Sequence, residues 1–414
     1  MNYAEALHYI EEKGRLGIVP GLTQMIELLH RLGNPQDACP ALQIAGTNGK
    51  GSIFAFVEQC MIEAGYRVGR YISPAVTGYL ERYQINKNWM EEERFAALLE
   101  RVAEAVEAMV ADGFTGPTAF EIETAVAFLY FQTEQVDYML IECGMGGALD
   151  ATNVIAKPLA SVFASISMDH MQFLGDTITE IALQKAGIMR EGCACISAFQ
   201  DAEAAKVLER VSAQKKTPYR KVNPDELLIL NMDLTKSTFS YKGIPYEIAL
   251  LGEHQIYNAC TAIEVLQYLK IDTTDIQRGL KSATWPGRMT KVAEHPYIFV
   301  DGAHNEAAWR ELAKNVKKYF TNKKIIYIIG VLKDKEYEKM IELLAPSMDV
   351  AITITPPGPR GLDKETLANL ILSKKIPVDM ADDAQEAIGK AKKLAGEEAV
   401  VMICGSLSFL VDYL

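Results

Sequence analysis

At 414 residues the chain exceeds one ordinary core and suits two or three domains of roughly 150 residues each. Its 49% hydrophobic and 23% charged content is that of a globular protein, which excludes extended disorder and a disulfide-stapled miniprotein. With 42 Lys+Arg against 54 Asp+Glu the formal net charge is −12, so the surface repels phosphate and argues against nucleic acid or an anionic membrane as partner.

In chain order, Met1 to Arg15 mixes Glu5, Glu11 and Glu12 with apolar residues at helical spacing and lacks the basic start and apolar core of a signal peptide. The longest apolar stretches, Ile325 to Leu332 and Ala399 to Cys404, fall far short of the roughly 20 residues of a membrane helix, so a cytoplasmic protein is expected. From Ala41 onward short apolar runs alternate with amphipathic stretches. Leu42 to Ala45, Val68 to Ile72 and Val136 to Cys143 read as strands, and Lys50 to Ala64, Glu91 to Val110 and Phe120 to Gln132 as helices. That alternation predicts βαβ units on a parallel sheet. Leu227 to Leu251 alternates polar and apolar residues around Lys242-Gly243, which predicts an antiparallel hairpin at the edge of the same domain.

A second alternating series follows, with strands expected at Ile298 to Val300, Ile325 to Ile329, Val350 to Ile354, Val378 to Met380 and Val400 to Cys404. Trp285-Pro286-Gly287-Arg288 breaks the preceding helix and permits a hinge. The expected fold is therefore α/β: a parallel-sheet phosphate-loop ATPase domain over residues 1–288, then a smaller Rossmann-like domain over 289–414, with a ligand cleft between them. The seven cysteines (Cys39, Cys60, Cys143, Cys193, Cys195, Cys260 and Cys404) are scattered and show neither a CxxC pair nor a zinc spacing, so reduced core thiols are expected.

The strongest chemical signal is Ala45-Gly46-Thr47-Asn48-Gly49-Lys50-Gly51-Ser52, after a strand and before a helix. Glycines let backbone amides surround phosphate oxygens, Lys50 reaches the β- and γ-oxygens, and Ser52 lies near a metal at the helix N-terminus. Gly46 and Gly49 stand closer than in the usual GxxxxGK[ST], and Gly51 separates Lys50 from Ser52. Glu142 ends an apolar strand before Gly144, where a hard carboxylate suits Mg²⁺ held with substrate phosphates; an arginine-paired strand-end glutamate is the alternative. His170 follows Asp169 after the apolar run Leu159 to Ile166, and is either a metal ligand or a structural histidine. Lys185, on the helical run Thr177 to Met189, reads plainly as a solvated cation favourable to the helix dipole. His254 opens a helix as a capping, packing or active-site residue, whereas His8, His30 and His295 are expected on the surface. Asp301 ends a strand and His304-Asn305 begins the next helix; Arg288 can clamp phosphate oxygens or form a hinge salt bridge.

The variant loop GTNGKGS resembles the Mur ligase superfamily, and folylpolyglutamate synthases in particular. Further similar segments are Ser73-Pro74 with Glu81-Arg82, Thr118-Ala119-Phe120-Glu121, Glu142 to Asn153, Met168-Asp169-His170 and Lys185-Ala186-Gly187-Ile188. His254-Gln255 with Asn258, Pro286-Gly287-Arg288, Asp301 to Asn305 and Cys404-Gly405-Ser406-Leu407 complete the series along the whole chain. The resemblance implies Mg²⁺ held by Ser73, Glu142 and His170, and ATP bound by residues 46–52 with Asn258, Arg288 and Asp301. It implies substrate contacts from Arg82, Phe120, Asp150, His304 and Ser406, with Lys50, Lys185 and His304 in catalysis and Lys185 carrying CO₂ as a carbamate.

Together these parts describe a phosphoryl-transfer site, and the resemblance implies that it serves ATP-dependent amide formation. A bound carboxylate attacks the γ-phosphate, and the acyl phosphate is taken by an amine, with closure of the domains excluding water. The resemblance implies L-glutamate as the amine and the γ-carboxylate of a reduced folylpolyglutamate as the acid, and leaves open dihydropteroate as a second acceptor; a monomer is expected, although the sequence does not fix the oligomeric state. Ala75 stands where the family commonly has histidine, Ala148 where it has arginine and Gln184 where it has glutamate. The first two leave open a Mur-type ligase acting on a non-folate carboxylate. A non-catalytic nucleotide sensor would dispense with Lys50, Glu142 or His170, and all three are present. A small-molecule kinase would release ADP without an amine.

Overall fold

The computed structural model describes residues 1–14, 21–396 and 398–414. The chain divides into two compact units. Met1–Ala75, Tyr79–Leu227 and Tyr257–Ser282 form the first, and Val76–Gly78, Leu228–Ile256 and Ala283–Leu414 the second. The helical pattern expected at the start is the helix Tyr3–Gly14, and Arg15 lies outside the described residues.

The first unit is built on an eight-stranded sheet: β1 (Ala41–Ala45), β2 (Val68–Tyr71), β3 (Tyr83–Ile85), β4 (Asn88–Trp89), β5 (Tyr138–Glu142), β6 (Ala160–Phe163), β7 (Ala194–Ser197) and β8 (Tyr219–Lys221). Their order is β4-β3-β2-β5-β1-β6-β7-β8. Only the β2–β3 and β3–β4 pairs are antiparallel. β1, β2 and β6 are buried along their whole length, as expected of parallel strands with helices on both faces. One core cluster gathers Phe95, Phe128, Phe131, Met139 and Ile141 with the helices Glu92–Ala111 and Ala119–Thr133. Another gathers Phe163, Ile181, Cys195 and Leu208 with the helices Ile178–Ala186 and Ala202–Gln214. Parallel strands aim their carboxyl ends the same way, so the segments after β1, β5, β6 and β7 meet at one edge.

The second unit contains β9 (Leu227–Met232), β10 (Ser237–Tyr241) and β11 (Ile244–Ile248) as a three-stranded sheet. It also holds β12 (Thr290–Glu294), β13 (Tyr297–Asp301), β14 (Ile325–Ile329), β15 (Val350–Thr353), β16 (Val378–Met380) and β17 (Val400–Cys404), in the order β12-β13-β17-β14-β15-β16. The expected hairpin is present as β10 and β11, but it groups with this unit rather than with the phosphate-loop sheet. The flanking Leu234 and Leu251 explain this, because both pack into the cluster around Phe299, Trp309 and Tyr327. β12, antiparallel to β13, was not expected: its exposed Lys291 and Glu294 hide it from a search for apolar runs. All seven cysteines are free, and His8, His30 and His295 are exposed. Among the described residues no helix is long and apolar enough to cross a membrane.

Candidate active site at the phosphate loop

β1 ends at Ala45 and the chain turns sharply into the helix Lys50–Glu63. Gly46 has φ 152° and Gly49 φ 94°, a backbone that side chains resist. A Cβ at Gly46 would lie 2.6 Å from Ala164 Cβ, and one at Gly49 would lie 2.5 Å from Asn258 Oδ1. The buried Asn258 side chain therefore rests on the loop. The amides of Thr47 and Asn48 donate to the Ser165 carbonyl at 2.8 and 3.3 Å. The first-turn amides of the helix, from Gly51 and Ser52, are the kind a helix leaves for an anion.

Lys50 Nζ donates to the carbonyls of Gly46 and Thr47 at 3.2 and 3.4 Å and lies 3.7 Å from Glu142 Oε1. Glu142 is the last residue of β5, so a carboxylate stands beside the loop, within ion-pair reach of the loop lysine. Lys185 departs from the solvated cation expected on plain reading. It is 4% exposed, and its Nζ donates to the Gly46 carbonyl at 3.0 Å. Burial first, and the positive charge of Lys50 second, lower its pKa to about 7.

The segment after β5 is a strand-end turn fitted tightly to its neighbours. Gly144 lies against the Phe120 ring, where a Cβ would come within 2.6 Å of Cζ, and Phe120 stacks on Tyr71 at 6.3 Å. A Cβ at Gly147 would lie 2.7 Å from the Lys185 carbonyl oxygen, and Ala148 packs against Gly187. Asp150 accepts from Met145 N at 2.8 Å and from Thr152 N and Oγ1 at 3.0 and 2.6 Å, so both its oxygens organise the turn. Burial raises its carboxyl pKa. Arg82 Nη1 donates to Glu123 Oε2 at 2.6 Å and its guanidinium covers the Tyr79 ring; Tyr79 donates to the other Glu123 oxygen at 2.8 Å.

His170 has φ 51° and a half-exposed side chain whose Nε2 lies 3.9 Å from Asp169 Oδ2. Among the described residues no three His, Cys, Asp or Glu side chains converge as a metal group, and the expected set has two, Glu142 and His170, with the Ser73 hydroxyl as third. The oxygen donors of Glu142 and Ser73 suit Mg²⁺, which takes few protein ligands beside phosphates. Ser52 Oγ, buried at the helix start without a hydrogen-bond partner, is a further oxygen facing this need.

In the second unit, Asp301 and Cys404 are paired at the ends of β13 and β17. Asp301 accepts from Met289 N at 2.9 Å and Ala303 N at 2.8 Å, while Gly302 N donates to the Gly287 carbonyl at 2.7 Å. This stitches Gly287-Arg288-Met289 to the end of β13. A Cβ at Gly302 would strike Arg288 Nη1 and Leu407 Cδ2, so both flank that glycine. His304 Nδ1 pairs with the Gly302 carbonyl at 2.8 Å, which fixes the ring at the end of β13. Ser406 is buried, and its Oγ accepts from Ser408 N at 3.2 Å. His254 is buried against Gly252, and burial lowers its pKa, so it packs as a neutral ring. Arg288, Asp301, His304 and Ser406 thus share the carboxyl edge of two adjacent strands.

Two participants escaped the sequence reading. Glu123 is buried on the helix Ala119–Thr133, two residues after the capping Glu121, and nothing local distinguishes it from a surface charge. Arg190 donates to Asn153 O and Oδ1 at 2.9 and 2.7 Å and to Gly187 O at 3.0 Å, tying the Lys185 helix to the turn after β5; nothing local marks it.

Residues 44–266 match the Mur ligase middle domain, and residues 287–407 match the Mur ligase glutamate ligase domain. The dihydrofolate synthase/folylpolyglutamate synthase of Bacillus subtilis is 36% identical over 99% of this chain and 98% of its own length. The chain belongs to the folylpolyglutamate synthases of the Mur ligase superfamily. The folylpolyglutamate synthase of Lacticaseibacillus casei is 32% identical over 98% of this chain and 96% of that one. The Mycobacterium tuberculosis folylpolyglutamate synthase, solved with ADP and AMPPCP, superposes with a TM-score of 0.91 at 27% identity, covering 100% of this chain and 98% of that one. E. coli FolC in complex with DHPP and ADP gives a TM-score of 0.90 at 28% identity, over 100% of this chain and 97% of that one. The α/β architecture expected from the sequence is that of these synthases.

Proposed function

We propose that the chain is an ATP-dependent ligase that joins L-glutamate to the γ-carboxylate of a reduced folylpolyglutamate. A second reaction, of glutamate with dihydropteroate, accords with the bifunctional B. subtilis relative. One observation carries the reading: Lys50 of the phosphate loop stands 3.7 Å from the strand-end carboxylate of Glu142, on a chain that matches such a synthase from end to end.

In the first step a folate carboxylate oxygen attacks the γ-phosphorus in line, forming an acyl phosphate and releasing ADP. Lys50 and the amides at the start of the helix Lys50–Glu63 stabilise the charge on the transferred group. Magnesium would be held by Glu142, Ser73 and His170 with the nucleotide, and would supply positive charge at the phosphate oxygens. In the second step the glutamate amine attacks the acyl carbon, inorganic phosphate leaves and the nitrogen loses its proton. His304 and Ser406 are assigned to the amino acid, and Asn258, Arg288 and Asp301 to the nucleotide. Phe120, Arg82 and Asp150 are assigned to the folate, with Asp150 acting by holding the turn that flanks Phe120.

Lys185 is assigned a carbamate. Its nitrogen must be uncharged to attack CO₂, and a pKa of about 7 leaves much of it so at neutral pH, whereas an ordinary lysine would be almost wholly protonated. Domain boundaries near Arg288, a monomeric state and a reducing, cytoplasmic setting complete the proposal; the seven free thiols accord with that setting.

The testing experiment is ADP release with ATP and Mg²⁺, with and without a reduced folate and L-glutamate. The ligase requires both co-substrates for sustained turnover. ADP release that ignores the amine would instead favour a kinase.

A further inference from the structure

Past the end of β6 the chain continues as Ala164–Ser167, a segment with two hydrogen-bonding edges. One edge faces the phosphate loop. The Ser165 carbonyl accepts from Thr47 N and Asn48 N at 2.8 and 3.3 Å, the Ser167 amide donates to Thr47 Oγ1 at 3.1 Å, and the Ser167 carbonyl lies 3.0 Å from that hydroxyl. Asn48 and Ser165 form an antiparallel bridge. Ala164 itself packs beneath Gly46, with no room for a side chain between them.

The other edge, made of Ala164 O and Ile166 N, faces the chain that follows β7. β7 ends at Ser197, and Ala198 N to Phe163 O at 2.8 Å carries the pairing one residue further. Beyond that point the side chain of Gln200 takes over. Its Oε1 accepts from Ile166 N at 2.9 Å, and its Nε2 donates to Ala164 O at 2.9 Å and to Ser197 Oγ at 3.2 Å. Gln200 is 8% exposed, so water does not readily replace these bonds. A primary amide offers the same donor and acceptor as a peptide group, so one side chain replaces the missing stretch of strand.

We propose that Gln200 is a positioning residue for nucleotide binding: it fixes Ala164–Ser167, which in turn sets Thr47, Asn48 and Gly46 of the phosphate loop. The inference rests on the reading of that loop as the nucleotide site. Removing the amide frees one edge of the segment while its other edge still holds the loop, so the loop shifts with it. Displacements of about 1 Å among groups that position a substrate cost up to about 100-fold in rate.

The test uses full-length Gln200→Leu, Gln200→Glu and Ser197→Ala. Thermal unfolding, the Kd for ATP without other substrates, and KM for ATP and for L-glutamate are measured for each. Gln200→Leu is expected to raise both the Kd and the KM for ATP by about 10- to 100-fold while KM for glutamate stays within about twofold. Gln200→Glu keeps the acceptor for Ile166 N but sets a carboxylate against the Ala164 carbonyl, so it should weaken ATP at least as much. Ser197→Ala, which removes the longest of the three bonds, should bind ATP like the wild type. Should Gln200→Leu fail to fold, the same quantities are read on Gln200→Asn, whose shorter side chain cannot span both main-chain partners. Folded variants that bind ATP as the wild type does, however far Tm falls, would overturn the proposal, as would a parallel rise in KM for ATP and glutamate. Failure of the wild type itself to bind ATP would instead overturn the nucleotide reading.

Discussion

Lys50 and Lys185 direct their amines at the same acceptor, the carbonyl oxygen of Gly46, at 3.2 and 3.0 Å. Burial first, and the neighbouring charge of Lys50 second, bring Lys185 down to about 7 from an ordinary 10.5. Below about pH 7 folded and unfolded chains both hold this proton, and the burial penalty is fully present. As pH rises from about 7 toward the ordinary value the unfolded chain binds more protons than the folded one, so stability should rise. Lys185→Met should flatten that rise, read by urea unfolding at about pH 6 and about pH 9. Carbamate formation should follow the same titration: isotope-labelled bicarbonate should give a protein carbamate signal that fades below about pH 7 and is missing from the variant.

Lys50→Ala should leave the fold intact, since this side chain lies at the edge of the sheet with its head at the loop. Removing one preorganised donor to the transferred phosphate is expected to lower kcat by about 100- to 1000-fold. Steady-state kinetics with circular dichroism as the folding control would check this.

Gly302→Ala tests the nucleotide role of Arg288. The added methyl would strike Arg288 Nη1 and Leu407 Cδ2 and come within 3.2 Å of the Gly287 carbonyl oxygen, so the guanidinium must move to admit it. We expect a stability loss of about 1–3 kcal/mol together with a raised KM for ATP. A normal KM for ATP at reduced Tm would remove Arg288 from the nucleotide site.

Glu123→Ala should leave the Arg82 guanidinium buried without its carboxylate, at a cost of about 3–5 kcal/mol in unfolding free energy. Arg82→Met with Glu123→Leu removes both charges and should recover much of that stability. It should not recover folate binding, because Arg82 is then absent. Denaturant melts and KM for the folate distinguish the two losses.

The sequence was most legible where chemistry and local structure coincide. Gly46 to Ser52 sits between one strand and one helix, so glycine, lysine and hydroxyl carry their meaning within seven positions. Glu142 was readable for the same reason, as a charge closing an apolar run. The Lys185 burial was not, because a lysine near a helix end looks solvated until the turn after β5 folds over it. Gln200 was less legible still: its three partners lie in two separate segments, 3 to 36 residues away, and no periodicity encodes that. The hairpin of β10 and β11 was recognised by its alternation, but which unit it joins depends on Leu234 and Leu251 meeting a distant core.

The most direct test of the central claim is the mass of the product formed from ATP, Mg²⁺, L-glutamate and, in parallel, tetrahydrofolate, methylenetetrahydrofolate and dihydropteroate. A pterin product heavier by one glutamyl residue, formed with one ADP per bond, is the expected result, and the productive acceptors define its one or two activities. No glutamyl adduct with any of the three, from a protein that binds ATP, would contradict the account and direct attention to Ala75 and Ala148 as marks of a different carboxylate.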